Sequence, residues 1–119
     1  MMSPLIEIRS YDLTPGSGAA FDRLFLQESL PLLRSFGVDV VAYGVSAHLA
    51  SPWSDASRYL IRRYADLDDL ERSEAAFYGS AAWREGPRAA VLACIATFTA
   101  VAIEVSDATV DGLRSVPDP

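Results

Sequence analysis

Leu5 to Leu13 (LIEIRSYDL) alternates, with Ile6 and Ile8 on one side and Glu7, Arg9 and Tyr11 on the other. A period of two predicts a half-buried strand. Thr14-Pro15-Gly16 reads as a turn, with Ser17 as the N-cap of a helix running to about Phe36. Phe21, Leu24, Phe25, Leu32 and Phe36 keep helical spacing. Pro31 should kink or split that helix near Leu30, and Gly37 should end it. A second strand is expected over about Val38 to Leu49. Val41, Tyr43, Val45, Ala47 and Leu49 would share one face, with Val40, Ala42, Gly44, Ser46 and His48 on the other. The loop Ala50 to Ser57 leads to a third strand, Arg58 to Ala65 (RYLIRRYA).

Asp66 should cap a helix carrying Leu67, Leu70, Phe77 and Tyr78. Gly79-Ser80 interrupts it, and a short helical piece with Trp83 follows. After the Gly86-Pro87 break, Pro87 opens a helix holding Val91, Leu92, Cys94 and Ile95. A fourth strand spans about Thr97 to Val105, with Thr99, Val101, Ile103 and Val105 on one face. The order is strand, helix, strand, strand, helices, strand, a split β-α-β unit used twice. That plan puts helices on one face of a single sheet and leaves the other face for a partner. The 119 residues suffice for one domain, taken as 1–105. Residues 106–119 are polar and acidic and are expected to form a loose tail.

Composition narrows the chemistry. Half the residues are hydrophobic, the net charge is −6 and the pI is about 4.6. This acidity argues against nucleic acid and anionic membranes as partners. No apolar run approaches the roughly 18 residues of a membrane span. No basic leader precedes Pro4, and Cys94 is a single cysteine, which fits a cytoplasmic protein. The chain contains no Lys, so Schiff-base chemistry and a P-loop are excluded. One His and one Cys cannot form a zinc site of the usual ligand sets. No metal and no organic cofactor is expected.

Several segments resemble NIPSNAP-type proteins. They are the strand and turn from Ile6 to Gly16 (IEIRSYDLTPG), the Leu30-Pro31-Leu32-Leu33 stretch, Arg62 to Leu67 (RRYADL) and, most distinctively, Phe77 to Arg88 (FYGSAAWREGPR). The resemblance covers about Leu5 to Val105. It implies an α+β, ferredoxin-like fold (βαββαβ) that pairs with a second copy as a homodimeric α/β barrel. That superfamily includes cofactor-free monooxygenases, haem-degrading enzymes, cyclases and isomerases, so it implies a fold without fixing a reaction. Similar proteins tend to carry a Tyr, and sometimes a His, just before the last strand; Thr97-Phe98-Thr99 stands there instead.

Candidate site residues follow from side-chain chemistry. Arg9 and Tyr11 project from one strand face, and the first and third strands should be adjacent. Arg62 or Arg63, with Tyr64, would then approach Arg9; Arg63 and Tyr64 are the pair assigned to the site. Such an Arg-Tyr cluster suits a carboxylate, phenolate or enolate. The competing reading is a salt-bridge network of Glu7, Arg9 and Arg63 sealing the interface. His48 is the candidate catalytic base, because its unperturbed pKa lies near neutrality. Trp83 and Arg88 would line a pocket entrance near the Gly-Pro break, and Tyr43 would line a cavity or fill the core. The expected ligand is a small apolar or aromatic anion. The alternative is a non-catalytic dimeric module.

Overall fold

The computed structural model describes residues 3–47 and 57–118. Four antiparallel strands form one sheet in the order β2-β3-β1-β4: β1 (Leu5–Leu13), β2 (Asp39–Ser46), β3 (Ser57–Tyr64) and β4 (Ile95–Glu104). Between β1 and β2 lie α1 (Gly18–Leu24), a π-helical turn (Phe25–Ser29) and α2 (Leu30–Ser35). Between β3 and β4 lie α3 (Leu67–Tyr78), α4 (Ala81–Arg84) and α5 (Arg88–Cys94), and α6 (Asp107–Leu113) follows β4. The architecture is the expected ferredoxin-like α+β sheet, with β1 and β3 central and adjacent.

The main core lies between the sheet and α1 to α5. Tyr11, Leu13, Val40, Tyr43, Leu60 and Tyr64 from the strands meet Phe21, Phe25, Leu30, Leu33, Leu70, Phe77, Trp83 and Val91 from the helices. Asp66 caps α3, its side chain accepting from the Asp69 N–H at 2.8 Å. Gly37 ends α2 with φ +77°, a left-handed conformation that a side chain would disfavour.

Three local features differ from the expected pattern. Pro31 does not simply kink the first helix. The chain inserts a π turn just before it, in which the Leu30 N–H donates to the Phe25 carbonyl five residues back. Proline has no N–H and crowds the carbonyl four residues earlier, and the wider turn relieves that conflict. Its extra residue brings both Ser29 and Leu30 to the buried side.

In β2 the pairing with β3 shifts between Val40 and Ala42. Val40 and Tyr43 therefore share the helix-covered face, while Val41 and Ala42 both face the other way. Strict alternation had placed Val41 with Tyr43; a bulge adds one residue and reverses the parity on one side of it.

The third difference is the segment after Val105, where a loose tail was expected. Ser106 caps α6, accepting from the Thr109 N–H at 3.1 Å. Val110, 1% exposed, packs with Ile6, Val41, Ala42 and Ile61 on the face opposite the main core. Beyond α6, the Ser115 N–H donates to the Val41 carbonyl at 2.9 Å, and the Tyr43 N–H donates to the Ser115 carbonyl at 3.1 Å. β2 is an edge strand, so these backbone groups point away from β3, and the terminal segment satisfies them. One valine at a capped helix offsets the polar composition that suggested disorder.

A candidate ligand cleft beside a buried charge cluster

Glu7 on β1 stands opposite Arg62 on β3 in the sheet register. Both side chains point toward the helices and both are buried. Arg62 donates through Nε to Glu7 Oε1 at 3.1 Å, and its Nη2 also contacts that oxygen. Two residues along β1, Arg9 Nε donates to the same Glu7 oxygen at 3.1 Å. Glu74, from α3, closes the cluster. Its two oxygens accept from Arg9 Nη2 at 3.1 Å and Arg62 Nη2 at 3.0 Å. Arg62 Nη1 donates to the Tyr78 hydroxyl at 3.0 Å. The Arg9 guanidinium lies 5.1 Å from the Tyr78 ring centroid and 5.3 Å from that of Phe98, within cation–π range of both.

Two guanidinium groups and two carboxyl groups thus sit in a space largely closed to water. Burial and the hydrogen bond shared with Glu7 push the Glu74 carboxyl up to about 7. The effect of burial on Glu7 is outweighed by its hydrogen bond with Glu74 and by Arg62 and Arg9, which hold it down at about 2. Glu7 has the closer pair of cations, so it holds its charge more firmly, and of the two carboxyls Glu74 is the one that takes up a proton first as pH falls. Burial, with Tyr78 nearby, pushes the Tyr11 phenol up to about 12.

The cluster borders a cleft of about 410 Å³ between β1, β4 and the α4–α5 segment. Arg9 and Tyr11 contribute from β1, Tyr78 from the end of α3, and Trp83 from α4. Arg88, Val91 and Leu92 on α5 and Ile95 and Phe98 on β4 complete it. Apart from Arg9, Arg88 and the two phenols, the walls are hydrocarbon and aromatic ring. Tyr78 and Trp83 meet edge to face at 5.6 Å and 84°. Arg88 is exposed, and among the described residues no carboxylate pairs with it.

Of the residues expected in a site, Arg9, Tyr11, Trp83 and Arg88 are brought together here. Arg63 is not: it sits one residue out of phase, on the opposite face, 3.6 Å from Asp107. Strand alternation makes Arg62 the neighbour of Glu7, so the charge network forms with Arg62 and faces the helices. Tyr43 lies apart from the cleft. Its ring stacks on Phe25 at 4.1 Å, and its hydroxyl donates to Asp22 at 2.6 Å, which also receives both prongs of Arg58. Tyr64 is buried in the core, and its hydroxyl has no hydrogen-bond partner among the described residues. His48 lies outside the described residues. The sequence reading missed Glu74, Tyr78 and Phe98 as site residues. A signal for the first two was present: Leu70, Glu74, Phe77 and Tyr78 form an i, i+4, i+7, i+8 stripe, and Glu74 interrupts its apolar run.

Comparison with solved structures places the fold among known ones. A NIPSNAP-like domain protein from Burkholderia xenovorans superposes with a TM-score of 0.77, covering 90% of this chain and 89% of its own, at 19% identity. A NIPSNAP family protein from Agrobacterium tumefaciens gives 0.77 with 90% of each chain covered, at 15% identity. The fold is that of the NIPSNAP proteins. A protein from Bordetella bronchiseptica assigned as an antibiotic biosynthesis monooxygenase is more distant. Its TM-score is 0.63 at 21% identity, with 87% of this chain and 97% of the other covered. No family model and no curated protein matches the sequence.

Proposed function

We propose that the cleft binds a small apolar or aromatic molecule carrying one anionic group. We also propose that two copies of this NIPSNAP-type chain associate as a dimeric α/β barrel with one cleft in each. The observation that carries the ligand reading is the position of Arg9. It is a cation held between the Tyr78 and Phe98 rings at the edge of an otherwise apolar cleft of about 410 Å³. Pockets of this size and makeup, with a few convergent polar groups, suit small organic ligands. When Glu74 holds its proton, the two arginines of the cluster outnumber the charged carboxylates by one, and Arg88 adds a positive charge whatever the state of Glu74. The field in the cleft therefore favours an anion although the whole chain carries −6. Chemistry on such a ligand would be of the cofactor-free monooxygenase or isomerase type, with the protein orienting the anion and Glu74 holding a proton beside it.

The assembly reading rests on β4. Phe98, Val101 and Ile103 are 53%, 54% and 42% exposed, and among the described residues β4 pairs only with β1. An exposed ten-residue edge strand with one charge calls for a cover. The same feature supports the second reading, a non-catalytic module acting through that surface.

A native mass spectrum of the purified protein, followed by calorimetric titration with 2-naphthoate, tests both parts. The expected result is a mass of two chains and binding of one naphthoate per chain, abolished in Arg9→Ala with the dimer retained. A single-chain mass overturns the assembly. Absence of binding at millimolar naphthoate overturns the ligand site and leaves the module.

A further inference from the structure

Beside the cleft lies a second, smaller void of about 30 Å³. Tyr11, Tyr78, Trp83 and Val91 line both spaces, so the two adjoin. Apart from the phenols of Tyr11 and Tyr78, the rest of the void is built from core hydrocarbon and aromatic rings, and Ser29 supplies its one aliphatic hydroxyl. Ser29 is 5% exposed, and its hydroxyl has no hydrogen-bond partner among the described residues. A buried hydroxyl that meets nothing is costly to keep, and native proteins rarely tolerate one without a purpose. Its position is also specified by the backbone. Ser29 closes the π turn, whose extra residue gives it a place on the buried face beside Leu30. Such turns within helices are uncommon and recur at functional sites.

We propose that this void is the deep end of the ligand site and that Ser29 hydrogen-bonds a single oxygen substituent of the ligand there. This inference rests on the proposed use of the cleft and specifies its ligand further. The volume admits one water-sized group and no more. A phenolic hydroxyl or ring carbonyl fits that limit, whereas a carboxylate is too large and would be unpaired among hydrocarbon. The anionic end therefore lies outside the void, in the cleft with Arg9 and Arg88, which line the cleft and not the void. Between the two ends the planar body lies along Trp83 and Tyr78. The ligand class is an aromatic carboxylate with a hydroxyl or oxo group at the far edge of its ring system.

The test is a titration of the full chain with 2-naphthoate and with its 5-, 6- and 7-hydroxy derivatives, repeated on Ser29→Ala and Ser29→Cys. In the wild type one hydroxy isomer is expected to bind about tenfold more tightly than the parent, the worth of one buried hydrogen bond. Ser29→Ala removes that preference and leaves 2-naphthoate binding unchanged. Ser29→Cys, with its weak donor, retains only part of it. Equal affinities for all four acids in the wild type, or a preference that survives in Ser29→Ala, overturn the role of Ser29 while the cleft stands. Failure of all four to bind overturns the cleft itself and this inference with it.

Discussion

Arg62 and Glu7 face each other across the central strand pair, Nε to Oε1 at 3.1 Å, and each is at most 4% exposed. A buried pair of this kind contributes little over a well-packed apolar pair, but removing one partner leaves the other charge under-compensated; without Arg62, Glu7 keeps only Arg9 as counter-ion. Arg62→Met is therefore expected to destabilise the fold by about 3–5 kcal/mol. Glu7→Gln in the same chain should restore part of that loss, because the under-compensated carboxylate is gone while Arg9 keeps Glu74. Urea unfolding of the two single variants and the double variant checks this. A double variant no more stable than Arg62→Met would show that Arg62 acts through its packing on Tyr78 and not through Glu7.

Glu74 and Glu7 shift in opposite directions, and so do their effects on stability. The Glu74 carboxyl, pushed up to about 7 from an ordinary 4.5, holds a proton in the folded state that the unfolded chain has already released. Its contribution is complete below 4.5 and is lost as pH rises through 7. Glu7, held at about 2, contributes in the opposite sense: fully above 4.5, and progressively less as pH falls toward 2. Between pH 5 and 8 the wild-type urea midpoint should therefore fall with rising pH. Glu74→Gln should flatten that interval, since the amide cannot titrate. An identical slope in both proteins would assign the effect to other groups.

Tyr43 separates the structural from the binding use of tyrosine. Its hydroxyl serves Asp22, whose carboxyl is held below the ordinary carboxylate range chiefly by the Arg58 hydrogen bonds. Tyr43→Phe is expected to cost about 1 kcal/mol of stability, one hydrogen bond, and to leave naphthoate affinity unchanged. Tyr11→Phe, in the wall of the cleft, should alter affinity. Equal effects of the two variants on binding would place Tyr43 in the site.

The order of elements and the cap at Asp66 were legible because each rests on local periodicity or a local hydrogen bond, whereas the long-range pairing of β1 with β3 followed only from the expected fold. Arg9 with Tyr11 and Trp83 with Arg88 were legible only as two separate clusters; that both border one cleft depends on how α4 and α5 pack against β1, which local pattern does not show. Failures came where one residue changes parity. Arg62 and Arg63 are chemically identical, and only the register against Glu7 decides between them. The bulge at Val40–Ala42 and the π turn at Phe25–Ser29 each insert a residue that periodicity alone does not show. The π turn had a visible cause in Pro31, but the choice between a kink and an insertion depends on what the core needs at Ser29 and Leu30.

Helix α6 provides a direct test of the terminal segment. Val110 fills a site among Ile6, Val41, Ala42 and Ile61, and Ser115 satisfies the backbone at the β2 bulge. Val110→Ala is expected to destabilise the protein by about 2 kcal/mol through lost burial and an unfilled space. Removing residues 106–119 should cost more, since it also exposes the Val41 face. Thermal unfolding unaffected by either change would return the segment to the status of a loose tail.

Exposure of β4 leads to a prediction about assembly. Val101 and Ile103 lie on the same sheet face as Ile6 and Ile8, but α6 covers the part of that face at Ile6, Val41, Ala42 and Ile61 and leaves Val101 and Ile103 exposed. The uncovered part is apolar, and in the proposed dimer a second copy removes it from water. A charge placed at its centre would have to be desolvated on association, at a cost far above what one valine contributes. Val101→Arg is therefore expected to sediment as a single chain at concentrations where the wild type sediments as a dimer, with its helix content unchanged because the side chain remains in water in the monomer. Val45→Arg is the control. Val45 is 68% exposed on β2 and pairs with Arg58, on the other face of the sheet, so its replacement should leave the dimer intact. Dissociation by Val45→Arg but not by Val101→Arg would move the interface to the β2 side of the sheet.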